Sequence, residues 1–385
     1  MARIVKAKTK AVDASYDVRI EFGALRKSAN FLSRSVGSDI PKVAIVSNKK
    51  VFGLYGDDLV RSLKPSGVRP SIHLIGDGER FKDLRTLQGT LEFLSRNGLS
   101  RTDLLISLGG GVVGDIAGFA ASIHLRGIPY LQVPTTLLSM IDSSVGGKTG
   151  INTEFGKNLA GSFYQPKAVL VDPEVLVTLP KREFTAGLCE AVKQGTIADP
   201  KLFEQTISVI DLLGQTAYSQ KLEESGFSTR FEGFLANQIA FKAQIVENDE
   251  RESVRKEDSR SRKILNFGHT FAHALEKASD YKHLKHGEAV GYGIIFAASL
   301  SEKLGYLDGN VVNLLRGVVH RTGKLPSIKN IEPNAVFESF RFDKKNIGGL
   351  LQWVLLKGIG EPIIVPHNKI GDRLVRKTVK EILSA

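Results

Sequence analysis

The first half of the chain alternates short apolar runs with helical patterns, and this alternation restricts the fold more than any other feature. Runs rich in Val, Ile and Leu predict strands at 43–46, 71–75, 104–108 and 130–133. Between the second and third runs, Leu84, Leu87, Leu91 and Leu94 recur at three- and four-residue steps, which predicts one face of a helix. Strands that alternate with helices through short glycine-rich joints are typical of a parallel α/β sheet.

The pattern changes near Pro180. This proline suits the first turn of a helix, and Gly195 suits the end of that helix. From there to about residue 340 the patterns are mostly helical, and 351–356 predicts one late strand. We therefore expect an α/β domain of nucleotide-binding type over 1–180 and an all-α domain over 181–385.

Composition excludes several classes of protein. Cys189 is the only cysteine, so the chain can form no intrachain disulfide and no Cys-rich zinc module, and it fits a reducing compartment. No apolar run is long enough to span a membrane, and the basic N-terminus lacks the apolar stretch of a signal peptide. The net charge of +12 suits nucleic acid, a membrane surface or anionic small molecules. Because no basic segment is interleaved with aromatic residues, we expect no nucleic-acid partner.

Two glycine-rich loops are candidates for phosphate binding. The loop at 109–114 fits G-x-G-x-x-G and follows a predicted strand. However, position 131 is leucine, where a ribose-binding acidic residue is expected. A tight structural turn without a ligand is therefore an equal alternative for this loop. The loop at 142–150 contains Gly147-Lys148-Thr149, yet Asp142 stands where a Walker A loop needs glycine, which disfavours an ATPase. Its Gly, Ser and Lys content still suits an oxyanion, with a surface turn as the alternative.

Three histidines lie close together in the second half. His269 and His273 share a helix face, and His286 follows beside Gly287 and Glu288. Each alone is compatible with a structural role, whereas two of them with a carboxylate could form a catalytic metal site with three protein ligands. Spacing does not decide which two bind metal. Glu190 and Lys193 share one helix face. They could form an ordinary ion pair, or Glu190 could be a metal ligand beside Lys193 as a substrate-binding cation.

Together these motifs resemble the 3-dehydroquinate synthase family. The similar segments are 109–122, 126–152, GKN at 156–158, 178–195, 262–276 and HGEAV at 286–290. The resemblance runs from about Lys42 to about Pro362, which is most of the chain. It implies an N-terminal NAD-binding α/β domain and a C-terminal helical domain that binds metal and substrate.

The resemblance also implies roles for individual residues. The metal ligands, for zinc or cobalt, would be Glu190, His269 and His286. The NAD contacts would be Asn48, Glu79, Lys82, Gly110, Gly111, Val112, Asp115, Thr135, Thr136, Lys157 and Thr178. The substrate contacts would be Arg126, Asp142, Lys148, Asn158, Lys193, Lys242, Arg262, Asn266 and one of Lys344 and Lys345, of which we favour Lys345. The catalytic group would comprise His273 and Glu252 for proton transfer, with Lys148, Asn158, Arg262 and Asn266.

The implied activity is a carbon-oxygen lyase of the shikimate pathway, in the cytoplasm and as a homodimer. It converts 3-deoxy-arabino-heptulosonate 7-phosphate to 3-dehydroquinate and phosphate, by transient NAD-mediated oxidation, phosphate elimination, reduction and an intramolecular aldol step. The alternatives are a sister cyclase that makes 2-deoxy-scyllo-inosose or an epi-valiolone, and a metal-dependent polyol dehydrogenase. A nucleic-acid binder is motivated only by the net charge.

Three positions depart from the family pattern. About six residues are inserted between Glu252 and Arg262, which puts the register of that segment in question. Ala186 stands where the family often has Ser or Asn, and His124 stands where it has Tyr. None of the three removes an implied metal ligand or a main cation.

Overall fold

The structure is a computed structural model. It describes residues 15–29, 31, 35, 42–214, 216–346 and 351–384, with the backbone alone at 66 and over 341–346.

A six-stranded sheet organises the first part of the chain. Its strands are β1 Asp17–Ile20, β2 Val43–Asn48, β3 Ser71–Ile75, β4 Leu104–Gly109, β5 Tyr130–Pro134 and β8 Ala168–Val171. They are all parallel, in the order β1-β8-β5-β4-β2-β3. The predicted parallel α/β architecture is therefore confirmed, and the four predicted strands are β2, β3, β4 and β5.

Helices cover both faces of this sheet, which explains why its central strands are continuous apolar runs. The helices are α1 Lys49–Leu63, α2 Leu84–Arg96 and α3 Gly111–Ile123. Ile45 of β2 packs in one core with Leu59 of α1, whereas its neighbour Val46 packs in another core with Leu94 of α2. Alternate residues of the strand thus serve opposite layers.

The strand order reverses at β2, which lies between β3 and β4. The connection after β2 leads to β3 on one side, and the connection after β4 leads to β5 on the other side. A crevice therefore forms between the carboxyl ends of β2 and β4. In open α/β sheets, ligands bind in such a crevice. Asn48 and the glycine loop at 109–111 lie on its two sides.

A hairpin that the sequence did not indicate follows β5. It consists of β6 Lys148–Thr153 and β7 Gly156–Phe163, which are antiparallel. Gly150 pairs with Gly161, and a Cβ at Gly161 would lie 2.1 Å from the carbonyl oxygen of Thr149. The glycines therefore let the two strands approach closely. They also interrupt the alternation of apolar and polar side chains from which a strand is usually predicted.

The second part of the chain is mainly helical. Its helices are α4 Lys181–Ala198, α5 Pro200–Leu213, α6 Tyr218–Lys221, α7 Phe227–Asn248, α8 His269–Ala278, α9 His286–Lys303, α10 Gly309–Arg321, α11 Pro333–Asn346 and α12 Asp372–Ser384. The late strand is confirmed as β9 Gln352–Leu356, and it pairs with an unpredicted strand, β10 Pro362–Pro366. This part is therefore helical with one added hairpin. Among the described helices, none combines the length and apolarity needed to cross a membrane.

The expectation that Gly195 ends a helix is wrong, because α4 continues to Ala198. A Cβ at Gly195 would lie 3.0 Å from Thr206 Oγ1 and 3.1 Å from the Cα of Phe203. The glycine is therefore needed for the close approach of α5, and the helix ends where Asp199 caps α5.

Two more glycines in α9 bring the metal candidates together. A Cβ at Gly287 would lie 2.0 Å from the carbonyl oxygen of Ala186 in α4, and one at Gly293 would lie 2.1 Å from that of Gly268. Gly268 directly precedes α8. Helix α9 thus packs closely against α4 and against the start of α8, which are the elements that carry Glu190 and His269.

Candidate active site

Glu190, His269 and His286 form a compact cluster. The carboxylate comes from the middle of α4, and each histidine is the first residue of its helix. His286 Nε2 lies 3.4 Å and His269 Nε2 lies 3.8 Å from Glu190 Oε1. Ligand atoms of the three residues all lie within 4.8 Å of one another. One carboxylate oxygen and two imidazole nitrogens therefore face a common point.

The chemistry of this cluster fits a divalent metal ion. Neither oxygen of the buried Glu190 carboxylate accepts a hydrogen bond from a described residue, although Lys193 Nζ lies 2.7 Å from Oε2. His269 Nδ1 lies 3.3 Å from the carbonyl oxygen of Phe267. Because a carbonyl only accepts, Nδ1 carries the proton, and the Nε2 lone pair faces Glu190. Burial and the Lys193 charge hold the pKa of His269 well below its ordinary value, which keeps the ring neutral.

The start of α9 is held by the buried carboxylate of Glu288, which the sequence analysis named only as a neighbour of His286. Glu288 accepts a hydrogen bond from the backbone N–H of Lys285 at 2.7 Å and caps the helix. It also accepts two hydrogen bonds from Arg182 of α4, at 2.7 and 2.6 Å. This bidentate contact ties α9 to α4 and fixes the position of His286 relative to Glu190.

Asp142 lies among cations next to the metal cluster. Lys242 Nζ of α7 is 2.6 Å from Asp142 Oδ1, and Lys193 acts on the same carboxylate electrostatically. Burial opposes ionisation of Asp142, but the two lysines outweigh it and hold its pKa below the ordinary value. Burial, only partly offset by Asp142, lowers the pKa of Lys242 to about 8. Lys193 pairs with Glu190 as well, so the metal ligands and these cations form one connected charge cluster.

Arg262 is directed toward the second glycine-rich loop. Its guanidinium donates to the carbonyl oxygen of Gly146 at 2.9 Å and to that of Glu250. These two acceptors come from chain segments far apart in sequence and set the plane of the group. The loop predicted to bind an oxyanion thus lies beside a fixed, buried arginine.

Glu252, Lys148 and Asn266 form a second polar group. The Glu252 carboxylate pairs with the Lys148 ammonium and accepts a hydrogen bond from Asn266 at 2.9 Å. Burial raises the pKa of Glu252, but Lys148 and the Asn266 hydrogen bond outweigh burial and lower it, so the carboxylate is charged. Its backbone φ of 53° lies in the left-handed region, a costly conformation for a non-glycine residue.

The Asp249 carboxylate closes the inserted segment. One oxygen accepts from the backbone N–H of Ser253 at 2.7 Å, and the other accepts from that of Arg262 at 2.9 Å. The backbone N–H of Glu252 donates to the Asp249 carbonyl oxygen at 3.2 Å. Asp249 therefore holds Glu252 and Arg262 in place on either side of the inserted residues.

The implied NAD contacts lie mainly at the carboxyl edge of the sheet. Asn48 caps α1 and donates to Asp77 at 3.1 Å. Gly110 and Gly111 begin α3, where a Cβ would lie 3.1 Å from Thr136 Cγ2 and 3.2 Å from Ser143 Oγ respectively. The missing side chains therefore let the start of α3 lie close to Thr136 and Ser143. The free backbone N–H groups at this helix start suit an anionic group. The remaining implied contacts at this edge are Glu79, Lys82, Val112, Asp115, Thr135, Thr136 and Thr178.

Polar contacts join this edge to the β6–β7 hairpin. Lys82 pairs with Asp115 and donates to Asn158 Oδ1. Burial lowers the pKa of Lys82, but Asp115 outweighs burial and raises it, so the lysine is a cation. The backbone N–H of Asn158 donates to Asn152 Oδ1 at 2.9 Å, and Asn152 in turn donates to Glu79 at 2.8 Å.

His273 and Lys157 lie beside the metal cluster. The His273 ring stacks on the His286 ring with 5.7 Å between centroids, and its side chain is open to solvent. Lys157 Nζ lies 2.9 Å from Oε1 of Glu276, a buried residue of α8 that the sequence analysis did not identify. The signal that could have found Glu276 is its three-residue spacing from His273, which places both side chains on one helix face.

One implied substrate contact, Arg126, is not brought into the cluster. Arg126 follows α3 at the amino-terminal edge of the sheet, where its side chain is exposed. Since α3 starts at the carboxyl edge and runs about 20 Å, Arg126 lies across the sheet from Gly111. The side chains of Lys344 and Lys345 lie outside the described part of the chain.

A parallel nucleotide-type sheet together with a Glu-His-His cluster able to hold a metal ion defines a class of enzymes that combine a nucleotide with a metal ion. Residues 72–186 match the 3-dehydroquinate synthase N-terminal family, and residues 187–346 match the 3-dehydroquinate synthase C-terminal family. The chain belongs to the 3-dehydroquinate synthase family.

Individual relatives agree with this assignment. A 3-dehydroquinate synthase from Thermodesulfovibrio yellowstonii is 39% identical over 98% of this chain and 99% of its own length. One from Microcystis aeruginosa is 36% identical over 97% of this chain and 96% of its own length. Among solved structures, a 2-epi-5-epi-valiolone synthase from Streptomyces hygroscopicus with NAD⁺ and Zn²⁺ bound has a TM-score of 0.80. It is 25% identical and covers 98% of this chain and 99% of its own.

Proposed function

We propose that this protein is a 3-dehydroquinate synthase, which converts 3-deoxy-arabino-heptulosonate 7-phosphate to 3-dehydroquinate and phosphate. The observation that carries the proposal is the continuous charge cluster from His269 and Glu190 through Lys193 to Asp142 and Lys242. In this cluster the candidate metal ligands Glu190 and His269 lie beside cations suited to an anionic substrate. The relatives of similar length that carry this name support the same reaction.

Glu190, His269 and His286 would hold the metal ion, with zinc or cobalt as the candidates. NAD would lie across the crevice between β2 and β4, with its pyrophosphate at the start of α3 near Gly110 and Gly111. When bound, NAD takes a hydride from the substrate and returns it later, while the metal polarises neighbouring hydroxyl groups. The related valiolone synthase structure contains the same two kinds of cofactor.

The chain's own cations would bind the phosphate and carboxylate of the substrate. Lys193 and Lys242 are buried and share Asp142, so they are held in place before the substrate arrives. Arg262 is fixed by two carbonyl oxygens and lies beside the loop that precedes Lys148. Preorganised cations bind an anion without the cost of ordering flexible side chains. Asn158 and Asn266 would add neutral hydrogen bonds.

Glu252 and His273 would move protons. Glu252 is ionised and held by Lys148 and Asn266, which suits a base with a fixed orientation. His273 is open to solvent beside His286 and can exchange protons with water. The first 180 residues would bind the nucleotide, and the remainder would supply the metal ligands and most substrate contacts. We further propose a homodimer, with zinc or cobalt as the native metal, acting in the cytoplasm, where a chain with one buried cysteine is compatible with reducing conditions.

A coupled assay tests this function. Metal-loaded protein, NAD and the heptulosonate phosphate are mixed, and inorganic phosphate and NADH absorbance are followed together. We expect phosphate release with catalytic amounts of NAD, no lasting NADH, and loss of the rate on treatment with EDTA. Steady NADH production without phosphate would instead indicate a polyol dehydrogenase.

The sister cyclases are the second candidate, because one of them has the same fold over nearly the whole chain. Sedoheptulose 7-phosphate and glucose 6-phosphate are therefore tested in parallel with the heptulosonate. Turnover of either of these, with no phosphate released from the heptulosonate, would replace the proposed substrate and leave the cofactor assignment unchanged.

A further inference from the structure

Glu276 lies between a metal ligand and the β6–β7 hairpin, and each of its carboxylate oxygens has a different partner. Oε2 lies 3.2 Å from His286 Nδ1, and Oε1 lies 2.9 Å from Lys157 Nζ. The side chain is only 2% exposed, so these contacts take place away from solvent. A buried carboxylate with two such partners has little freedom to reorient.

The contact with His286 sets which nitrogen can bind metal. Glu276 holds Nδ1, and the opposite nitrogen, Nε2, points at Glu190. His269 has the same arrangement, except that a backbone carbonyl oxygen holds its Nδ1. A carboxylate on the far nitrogen of a metal-binding imidazole orients the ring and makes it a stronger ligand.

The contact with Lys157 leads toward the nucleotide side. Lys157 and Asn158 are consecutive in β7, and Asn158 has a left-handed φ of 57°. The Lys157 ammonium meets Glu276, whereas the Asn158 side chain accepts from Lys82. Two adjacent residues of one strand therefore contact the two halves of the site.

The Lys157 ammonium is held from a second direction by Tyr281, whose ring centre lies 4.6 Å from Nζ. Asp280 and Tyr281 both have left-handed φ values, 52° and 56°, and the Tyr281 N–H donates to the Glu276 carbonyl oxygen at 2.7 Å. This strained turn keeps the aromatic ring over the ammonium. The position of Lys157 is therefore determined by α8 and the turn that follows it.

We propose that Glu276 is a positioning residue that couples metal binding to NAD binding through Lys157. This inference rests on the proposed function, because it takes the two cofactors from there. An ion bound by His286 Nε2 would strengthen the contact between His286 Nδ1 and Glu276. The same carboxylate holds Lys157 and the start of β7 in place for the nucleotide. The coupling is reciprocal, so that each cofactor raises the affinity of the other by the same factor.

Binding measurements on the full-length protein, stripped of metal, test the coupling. The Zn²⁺ affinity is determined by competition with a chelator, with and without saturating NAD, and Co²⁺ absorption reports the geometry of the ligands. In the wild type we expect NAD to tighten metal binding about fivefold or more. Glu276→Gln keeps a hydrogen-bond acceptor for His286 but loses the negative charge, and Lys157→Met loses the positive charge. In both variants the Zn²⁺ affinity should be about the same with and without NAD. Glu276→Gln should also weaken metal binding about tenfold.

A matched control removes an ion pair elsewhere in the helical part. Glu381 pairs with Lys303, and Glu381→Gln should leave the metal affinity and the NAD effect unchanged. A structural role alone would lower both affinities in Glu276→Gln but would leave the NAD effect at its wild-type size, which would overturn the proposal. Absence of an NAD effect on metal binding in the wild type would also overturn the proposal. A third contradicting result would be that the wild type binds two Zn²⁺ ions and Glu276→Gln binds one, because Glu276 would then be a direct ligand of the second ion.

The proposal and the proposed function fail in different ways. Binding is measured without the sugar phosphate, so coupling can be present in a protein that does not release phosphate from the heptulosonate. Conversely, phosphate release by the wild type with an unchanged NAD effect in both variants would refute only the coupling. A circular dichroism spectrum of each variant establishes that it has folded.

Discussion

The Lys242 ammonium lies 2.6 Å from the Asp142 carboxylate, in a pair that is mostly removed from solvent. Burial lowers the pKa of Lys242 to about 8 despite this partner. The cation is therefore present below about pH 8 and is lost as the pH rises through that value. If Lys242 binds the anionic substrate, kcat/KM, which reflects the free enzyme, should fall on the alkaline side of about pH 8.

Substitution of Lys242 separates this effect from other ionisations. Lys242→Arg retains its charge at alkaline pH, so the decline in kcat/KM should move to higher pH. Lys242→Met should lower kcat/KM about tenfold or more at neutral pH and flatten the profile, since a charged hydrogen bond is lost. An alkaline decline at the same pH in wild type and Lys242→Arg would show that another group is responsible.

Metal should stabilise the protein through Glu190. Adding Zn²⁺ to the stripped wild type should raise the Tm, because an ion that binds only the folded state contributes about 2.7 kcal/mol at a concentration of 100 times its Kd. Glu190→Gln should show little or no Tm increase. Glu183→Gln serves as control, since Glu183 belongs to the same helix and pairs with Lys285 instead. An equal Zn²⁺ effect in all three proteins would place the stabilising ion elsewhere.

Glu252 should affect turnover without affecting cofactor binding. Glu252→Gln removes the ionised carboxylate, and kcat should fall about 10²- to 10⁴-fold, the usual contribution of a general base. NAD and Zn²⁺ affinities should stay at their wild-type values. The control is Glu257→Gln in the same segment. Among the described residues, the Glu257 carboxylate has one hydrogen bond, which it accepts from the Gln352 amide. Steady-state kinetics and binding titrations together test the prediction, and an unchanged kcat would remove Glu252 from the reaction.

Gly287 should tolerate no side chain. Gly287→Ala places a Cβ 2.0 Å from the Ala186 carbonyl oxygen, so α4 and α9 must separate, at a cost of about 1–3 kcal/mol. Gly317→Ala is the matched helical control, because no atom lies within 4 Å of its Cβ, and it should stabilise by about 0.5–1 kcal/mol. Urea unfolding midpoints measure both. A Gly287→Ala midpoint at or above wild type would mean that the helices can separate without loss.

Strands β2, β4 and β5 could be predicted because they are buried throughout and contain short continuous apolar runs. Strands β1 and β8 were not predicted, although β8 is also buried throughout. The β6–β7 hairpin could not be predicted, since Gly150 and Gly161 replace the side chains whose alternation reveals a strand. The role of Gly195 was misjudged for a related reason. The sequence does not distinguish a glycine that ends a helix from one that allows a neighbouring helix to pack closely. Only the position of Phe203, 3.1 Å from where a Cβ of Gly195 would lie, shows that Gly195 is of the second kind.

The histidines of the site could be predicted as a group, but not their individual roles. The spacing of His269 and His273 places both on one face of α8, and only the packing of α9 shows that His269, with His286, faces Glu190. The meeting of Lys193 with Asp142 likewise depends on how α4 and α7 approach the loop after β5. The contribution of Glu276 was missed because its three-residue spacing from His273 is common in helices and does not by itself indicate a functional pair.

The Asp249 carboxylate has a consequence for how this chain can change in length. It receives the backbone N–H groups of both Ser253 and Arg262, and so bridges the base of the segment between them. The spacing between Glu252 and Arg262 is therefore set by Asp249 as well as by the residues that connect them. We therefore expect that residues inserted between Ser253 and Arg262, such as an affinity tag, leave both side chains in place.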